Sequence, residues 1–243
     1  MKAHFLGLLA GTSLLLAATP RTHAALTYDL RLNDNDTSGG VITYPGEVIA
    51  LDLFARVTGV SAGVEGFQEG YGSIIGATSG GISGSLSATI AAPFQANGAQ
   101  AGTSSDLNGD SVLDLGSNLT VASSDFFFAR ASQMQTTGGT PILSGTGMEF
   151  KLGTIYFTAS STQPLIGGST LNISFRITAF TNPTNIDALW MQDGVTEVSS
   201  LGGNAPLPTA GAGVTLSAIP EPSSALLLGF GAVAACVQRR RRR

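Results

Sequence analysis

Leu171, Ile173, Phe175, Ile177 and Ala179 are apolar at every second position, with a polar residue between each pair. That period belongs to a strand with one buried face, because successive side chains leave a sheet on opposite sides. No stretch between residues 25 and 218 shows a sustained helical period. Instead, strand-like runs alternate with clusters of Gly, Ser, Thr, Asn and Asp. Residues 26–32 alternate apolar and polar. Residues 48–57 form an apolar run that opens after the turn at Pro45-Gly46. Residues 148–159 are β-branched and aromatic throughout, the clearest strand of all. Residues 125–131 and 188–191 are shorter apolar pieces. Residues 74–90, poor in large apolar side chains, are expected to hold weak edge strands, and 195–198 and 214–217 are expected to close the fold. Residues 33–40 are a loop by composition. Short strands at this spacing predict an all-β fold, an antiparallel β-sandwich of jelly-roll type over residues 25–201, followed by a Gly/Pro-rich linker over 202–218.

Both ends of the chain have a different composition. Met1-Lys2, an apolar run over 5–18 and the small residues around Thr22-His23-Ala24 form a secretory signal peptide over residues 1–24, for signal peptidase to remove. At the other end, Pro220-Glu221-Pro222 precedes an unbroken apolar run over 225–237, and Arg239, Arg240, Arg241, Arg242 and Arg243 complete the sequence. An apolar run satisfies its backbone in lipid as a helix, and an arginine block stays on the cytoplasmic side. The run is short. At about 1.5 Å per residue it reaches about 20 Å, against a hydrocarbon core of about 30 Å. Such a marginal transmembrane helix suits a temporary anchor.

This three-part ending resembles the PEP-CTERM sorting signal of Gram-negative bacteria, over residues 219–243. The resemblance implies recognition by an exosortase, a membrane-embedded cysteine transpeptidase. It also implies passage through the inner membrane to the cell surface or the exopolysaccharide matrix. The body is similar to the cohesin-like sandwiches of bacterial surface proteins. Residues 44–59, with their Pro45-Gly46 turn, are followed by Gly66-Phe67-Gln68 and later by the apolar strand at 151–159.

Composition excludes several functions. His4 and His23 lie in the signal peptide, and Cys236 lies in the apolar run near the C-terminus. The body therefore has no histidine and no cysteine. Ser-His-Asp and Cys-His catalysis, His- or Cys-ligated zinc and a disulfide framework are all excluded. The body has five basic residues, Arg31, Arg56, Arg130, Lys151 and Arg176, against fifteen acids, for a formal charge near −10. Nothing in that balance attracts nucleic acid.

The candidate metal site is Asp106, Asn108, Asp110 and Asp114. Their oxygens fall at positions 1, 3, 5 and 9, as in calcium loops. Ser111 stands where such loops have glycine, and Ser117 where they have a bidentate acid. Asn33, Asp34, Asn35 and Asp36 make a second acidic loop. No cofactor other than calcium is expected. Glu47, Asp52, Glu65 and Glu69 are carboxylates that a glycoside hydrolase could use, but their spacing defines no cleft, so no enzyme activity is expected. Tyr71, Tyr156 and Trp190 are candidate sugar platforms, Trp190 being better placed for the core. Together these features predict a structural or adhesive surface protein with a non-catalytic body. The alternative is a calcium-assisted module that binds carbohydrate or protein.

Overall fold

The computed structural model describes residues 25–59, 64–119, 124–142, 147–161, 165–177, 188–200 and 207–219. Among them lie fifteen strands and no α-helix. In chain order they are β1 (Ala25–Leu32), β2 (Val41–Ile42), β3 (Val48–Thr58), β4 (Gly66–Ser79) and β5 (Gly84–Ile90). Next come β6 (Ser104–Ser105), β7 (Val112–Leu115), β8 (Phe127–Gln135), β9 (Thr140–Pro141) and β10 (Gly147–Ala159). The last five are β11 (Thr170–Ile177), β12 (Ala188–Gln192), β13 (Thr196–Ser199), β14 (Thr209–Ala210) and β15 (Val214–Ala218).

The long strands form two runs of neighbours. One runs β14, β1, β3, β10, β5; the other runs β4, β11, β15, β2, with β8 and β12 also on β4. β7 joins them. It lies parallel to β5 at Gly84–Val112 and antiparallel to β4 at Ile74–Leu115. The strands therefore make one curled sheet rather than the two separate sheets that strand spacing suggests.

The two halves of the curl face each other across a single core. Alternation places Leu26, Tyr28 and Leu30 of β1 inside, with Leu51, Leu53, Ala55 and Val57 of β3 and Leu171, Ile173 and Phe175 of β11. A register shift between Lys151 and Gly153 lets β10 turn both Leu152 and Ile155 inward. Rings meet across the gap: Tyr28 lies 4.4 Å from Phe175 and Phe67 lies 6.4 Å from Phe150, centroid to centroid. Trp190 is fully buried, as its apolar surroundings imply.

Two expectations change. Residues 74–79 are no weak edge: they belong to β4, the longest strand at 14 residues, which has partners on both sides. Its small residues make room for rings from β1 of the opposite half and from the neighbouring strand β11. A side chain at Gly70 would strike the Tyr28 hydroxyl, and one at Gly72 would strike Phe175. Residues 209–218 are not a free linker, because β14 pairs with β1 and β15 pairs with β11 and β2, burying Leu216 and Ala218. Strand 171–179 is seen as far as Ile177. The signal helix over 1–24 and the transmembrane helix over 225–237 lie outside the described residues.

Candidate functional site

Strand pairing gathers one set of loops at one pole of the sheet. Val48 pairs with Thr158, Ala159 with Gly84 and Gly84 with Val112 on one side. Ser79 pairs with Thr170, Thr170 with Ser217 and Ala218 with Ile42 on the other. The segments beyond these ends are 43–47, 80–83, 106–111 and 165–169. Both acidic loops border this pole, and the chain leaves the sheet there.

The loop at 106–111 is built by its own carboxylates. Asp106 Oδ1 accepts the Gly109 N–H at 2.7 Å, and its Oδ2 accepts the Ser111 N–H at 3.1 Å. Ser111 adopts φ 73°, the left-handed region usually left to glycine or asparagine. Asp110 accepts N–H bonds from Val112 at 2.9 Å and from Thr78 at 2.8 Å. Asp114 is fully buried and ties the loop to β4, accepting from Gly76 at 2.7 Å and from Leu107 at 2.9 Å. The Asn108 amide donates to the Gly76 carbonyl at 2.7 Å and to Asp110 at 3.2 Å. The four sequence-predicted residues are thus brought to one turn. Their oxygens, however, accept backbone amides. Among the described residues no group of three His, Cys, Asp or Glu side chains is arranged to hold a metal ion.

The charges in this loop interact. Burial drives the Asp114 carboxyl above its ordinary range, the Gly76 and Leu107 amides oppose that rise, and the nearby Asp110 and Asp106 charges add to it. Asp106 goes the other way. Desolvation would raise it, but amide N–H bonds from Ser111, Gly109 and Asp110 outweigh that and hold it low.

Two grooves open at the pole. One, of about 730 Å³, is lined by Ser83, Ser85, Ser111, Thr158, Ser160 and Asp110 among others. The second, of about 550 Å³, runs between the 33–38 loop and the start of β3, with Tyr44 and Glu47 on its wall. Neither has a basic residue in its lining. The five cations of the body are engaged elsewhere. Arg31 and Arg56 hold Asp29 and Glu149, Arg130 holds Glu69, Lys151 holds Asp52, and Arg176 donates to the Ser117 carbonyl and to Asn118.

The hydrolase candidates do not assemble. Glu47 bonds to the turn it sits on, Asp52 is paired with Lys151 on β3, and Glu65 and Glu69 lie at the start of β4, far from the pole. Of the sugar platforms, Trp190 is in the core, Tyr71 stacks on Phe128 at 3.6 Å, and Tyr156 is half-buried on β10. Among the described residues the exposed aromatic at a groove is Tyr44, which in the sequence stands directly before the Pro45-Gly46 turn. The signal in the sequence is faint, since Tyr44 lies eight residues after the Asn/Asp cluster at 33–36.

The exit of the chain is tightly held. Ser217 donates to the Gly40 carbonyl at 2.9 Å, Ala218 to Ser169 at 2.9 Å and Ile219 to Ile42 at 3.0 Å. Pro220, Glu221, Pro222 and the arginines at 239–243 follow, outside the described residues. Among the described residues no helix is long and apolar enough to cross a membrane. Residues 218–243 match the PEP-CTERM protein-sorting motif, so the motif begins on the last residue of β15. No curated protein matches the chain.

Proposed function

We propose that the chain is an exosortase substrate, exported, held in the inner membrane by its tail, processed, and left at the cell surface or in the exopolysaccharide matrix of a Gram-negative bacterium. In this reading residues 1–24 are a signal peptide. The β body is non-catalytic and serves a structural or adhesive role, its curled sheet presenting loops in the manner of a cohesin-like domain. The sorting motif at 218–243 carries the reading. It is supported by a body without His or Cys and by two facing halves of sheet, with β3 opening at the Pro45-Gly46 turn. The test is replacement of Pro220 and Glu221 by Ala. The expected result is an unprocessed, membrane-retained precursor. Mass spectrometry that finds the arginine block intact on the mature wild-type protein would overturn the reading.

A second reading makes the body a calcium-assisted binding module through Asp106, Asn108, Asp110 and Asp114. What favours it is that Asp106 and Asp110 lie close enough to the buried Asp114 for their charges to act on its carboxyl, a crowding that a divalent cation would relieve. The loop lacks a twelfth-position acid, so affinity would be about 10⁻⁴–10⁻³ M, in the range of extracellular modules. Calorimetry at millimolar calcium should then show heat that is lost in Asp106→Ala. No heat in the wild type would return the loop to a turn held by its own amide bonds.

A further inference from the structure

We propose that the groove between the 33–38 loop and the 41–50 segment binds a neutral, hydroxyl-rich saccharide, with the Tyr44 ring as its stacking platform. This deepens the adhesive reading of the body by giving it a site and a ligand class.

Three features of the groove carry it. The groove has a volume of about 550 Å³, within the range that encloses a small ligand. Its wall carries Tyr44, which is 53% exposed. A tyrosine ring is a rigid, amphipathic surface that loses little conformational entropy on contact, and its face suits the apolar C–H side of a sugar ring. The rest of the lining is dense in hydrogen-bonding groups: Asn33, Asn35, Asp36, Ser38, Thr43 and Glu47. A polyhydroxylated ligand needs such a mixture of acceptors and amides around one apolar face.

The site is also held in shape. The Asn33 amide donates to Asp52 at 2.9 Å, and the Asn33 side-chain carbonyl accepts the Asn35 N–H at 2.9 Å. Asp36 accepts from the Ala50 N–H at 2.9 Å, which fastens the loop to β3. Glu47 accepts the Thr43 N–H at 2.6 Å, the Thr43 hydroxyl at 3.1 Å and the Tyr44 N–H at 3.4 Å, all on Oε2. Those bonds fix the backbone that carries Tyr44. A platform held by its own turn enters binding preorganised.

Charge sets the ligand class. Asp36 and Glu47 line the groove and no lysine or arginine does. A uronate, sulfated or phosphorylated chain would meet like charge without a compensating cation. A neutral chain meets none of that penalty.

The test is calorimetry of the full chain in detergent micelles against cellohexaose, maltohexaose and xylohexaose, with alginate oligomers as the anionic arm. Binding of at least one neutral oligosaccharide is expected. Tyr44→Ala should weaken it about tenfold, and Tyr44→Trp, which keeps a platform, should stay within about threefold. Melting curves of both variants should overlay the wild type, since Tyr44 is half exposed. Absence of heat with all three neutral sugars at millimolar concentration, unchanged affinity in Tyr44→Ala, or preferential binding of alginate would overturn the proposal. Tail processing is read separately by mass spectrometry, so failure of this titration leaves the sorting reading intact, and loss of sorting leaves the titration interpretable.

Discussion

Asp52 of β3 holds the Lys151 ammonium of β10 at 2.8 Å, and the Asn33 amide and Thr154 hydroxyl both donate to the same carboxylate at 2.9 Å. Burial would raise its pKa, but the bonds from Lys151, Asn33 and Thr154 together outweigh burial and hold it low. A carboxylate lowered in the folded state contributes stability above its unfolded pKa of about 3.9 and loses it as pH falls through the folded value. Asp52→Asn should therefore cost about 1 kcal/mol near neutrality, a modest figure because Lys151 is partly solvated. The gap from wild type should close as the solution is acidified below about pH 4. Urea melts across pH check this, and a gap independent of pH would contradict it.

Asp114 should show the opposite trend. Its carboxyl is raised, chiefly by burial, so the folded state holds its proton more tightly than the unfolded chain does. Stability from this group is complete below the unfolded pKa and declines as pH rises through the folded one. Asp114→Asn removes at least one of the two amide bonds to Gly76 and Leu107, at a cost of about 1–3 kcal/mol. That cost should be largest in acid and shrink toward neutrality. The two variants, measured side by side, should cross-check each other by the sign of their pH slopes.

Gly72→Ala tests the packing of β4 against the Phe175 ring of its neighbour β11. A methyl group there would enter the Phe175 ring and lie 2.8 Å from the Arg176 carbonyl. Overpacking of this kind costs about 1–3 kcal/mol, and each kcal/mol is worth about 2–4 °C of melting temperature in a domain of this size. If the collision with the ring is the cause, Phe175→Leu in the same chain should recover part of the loss. Two losses that simply add would show that the glycine matters for another reason.

The strands with large alternating side chains, β1, β3, β10 and β11, are legible in the sequence because burial of one face imposes period two on their residues. β4 is not, since its inward positions include Gly70, Gly72 and Gly76, whose reason to be small is a ring or a valine on another strand. β14 is hidden by a Gly/Pro-rich context that reads as linker, whereas the run at 214–217 already marks β15 as a closing strand. β14 is a strand because β1 offers it a partner, a fact that no local window contains. The acidic loop was legible as a place where Asp106, Asn108, Asp110 and Asp114 meet. Its bonding was not, because spacing counts oxygens and cannot tell an oxygen aimed at a cation from one aimed at an amide. Tyr44 was visible as a residue, but the groove beside it exists only once the 33–38 loop folds over Ala50.

The last strand enters the sorting motif without slack, and this has a mechanical consequence. A pull on the membrane tail reaches the body along the axis of β15. β15 lies between β11, to which it pairs at four registered positions, and β2, and its end is tied on either side by the Ser169 and Ile42 carbonyls. Tension in that direction shears both ladders at once instead of unzipping bonds one after another. Single-molecule stretching from the C-terminus should thus rupture the fold at higher force than stretching across the β12–β13 hairpin. The junction that hands the protein to its processing enzyme would then also be the one through which the folded body bears load.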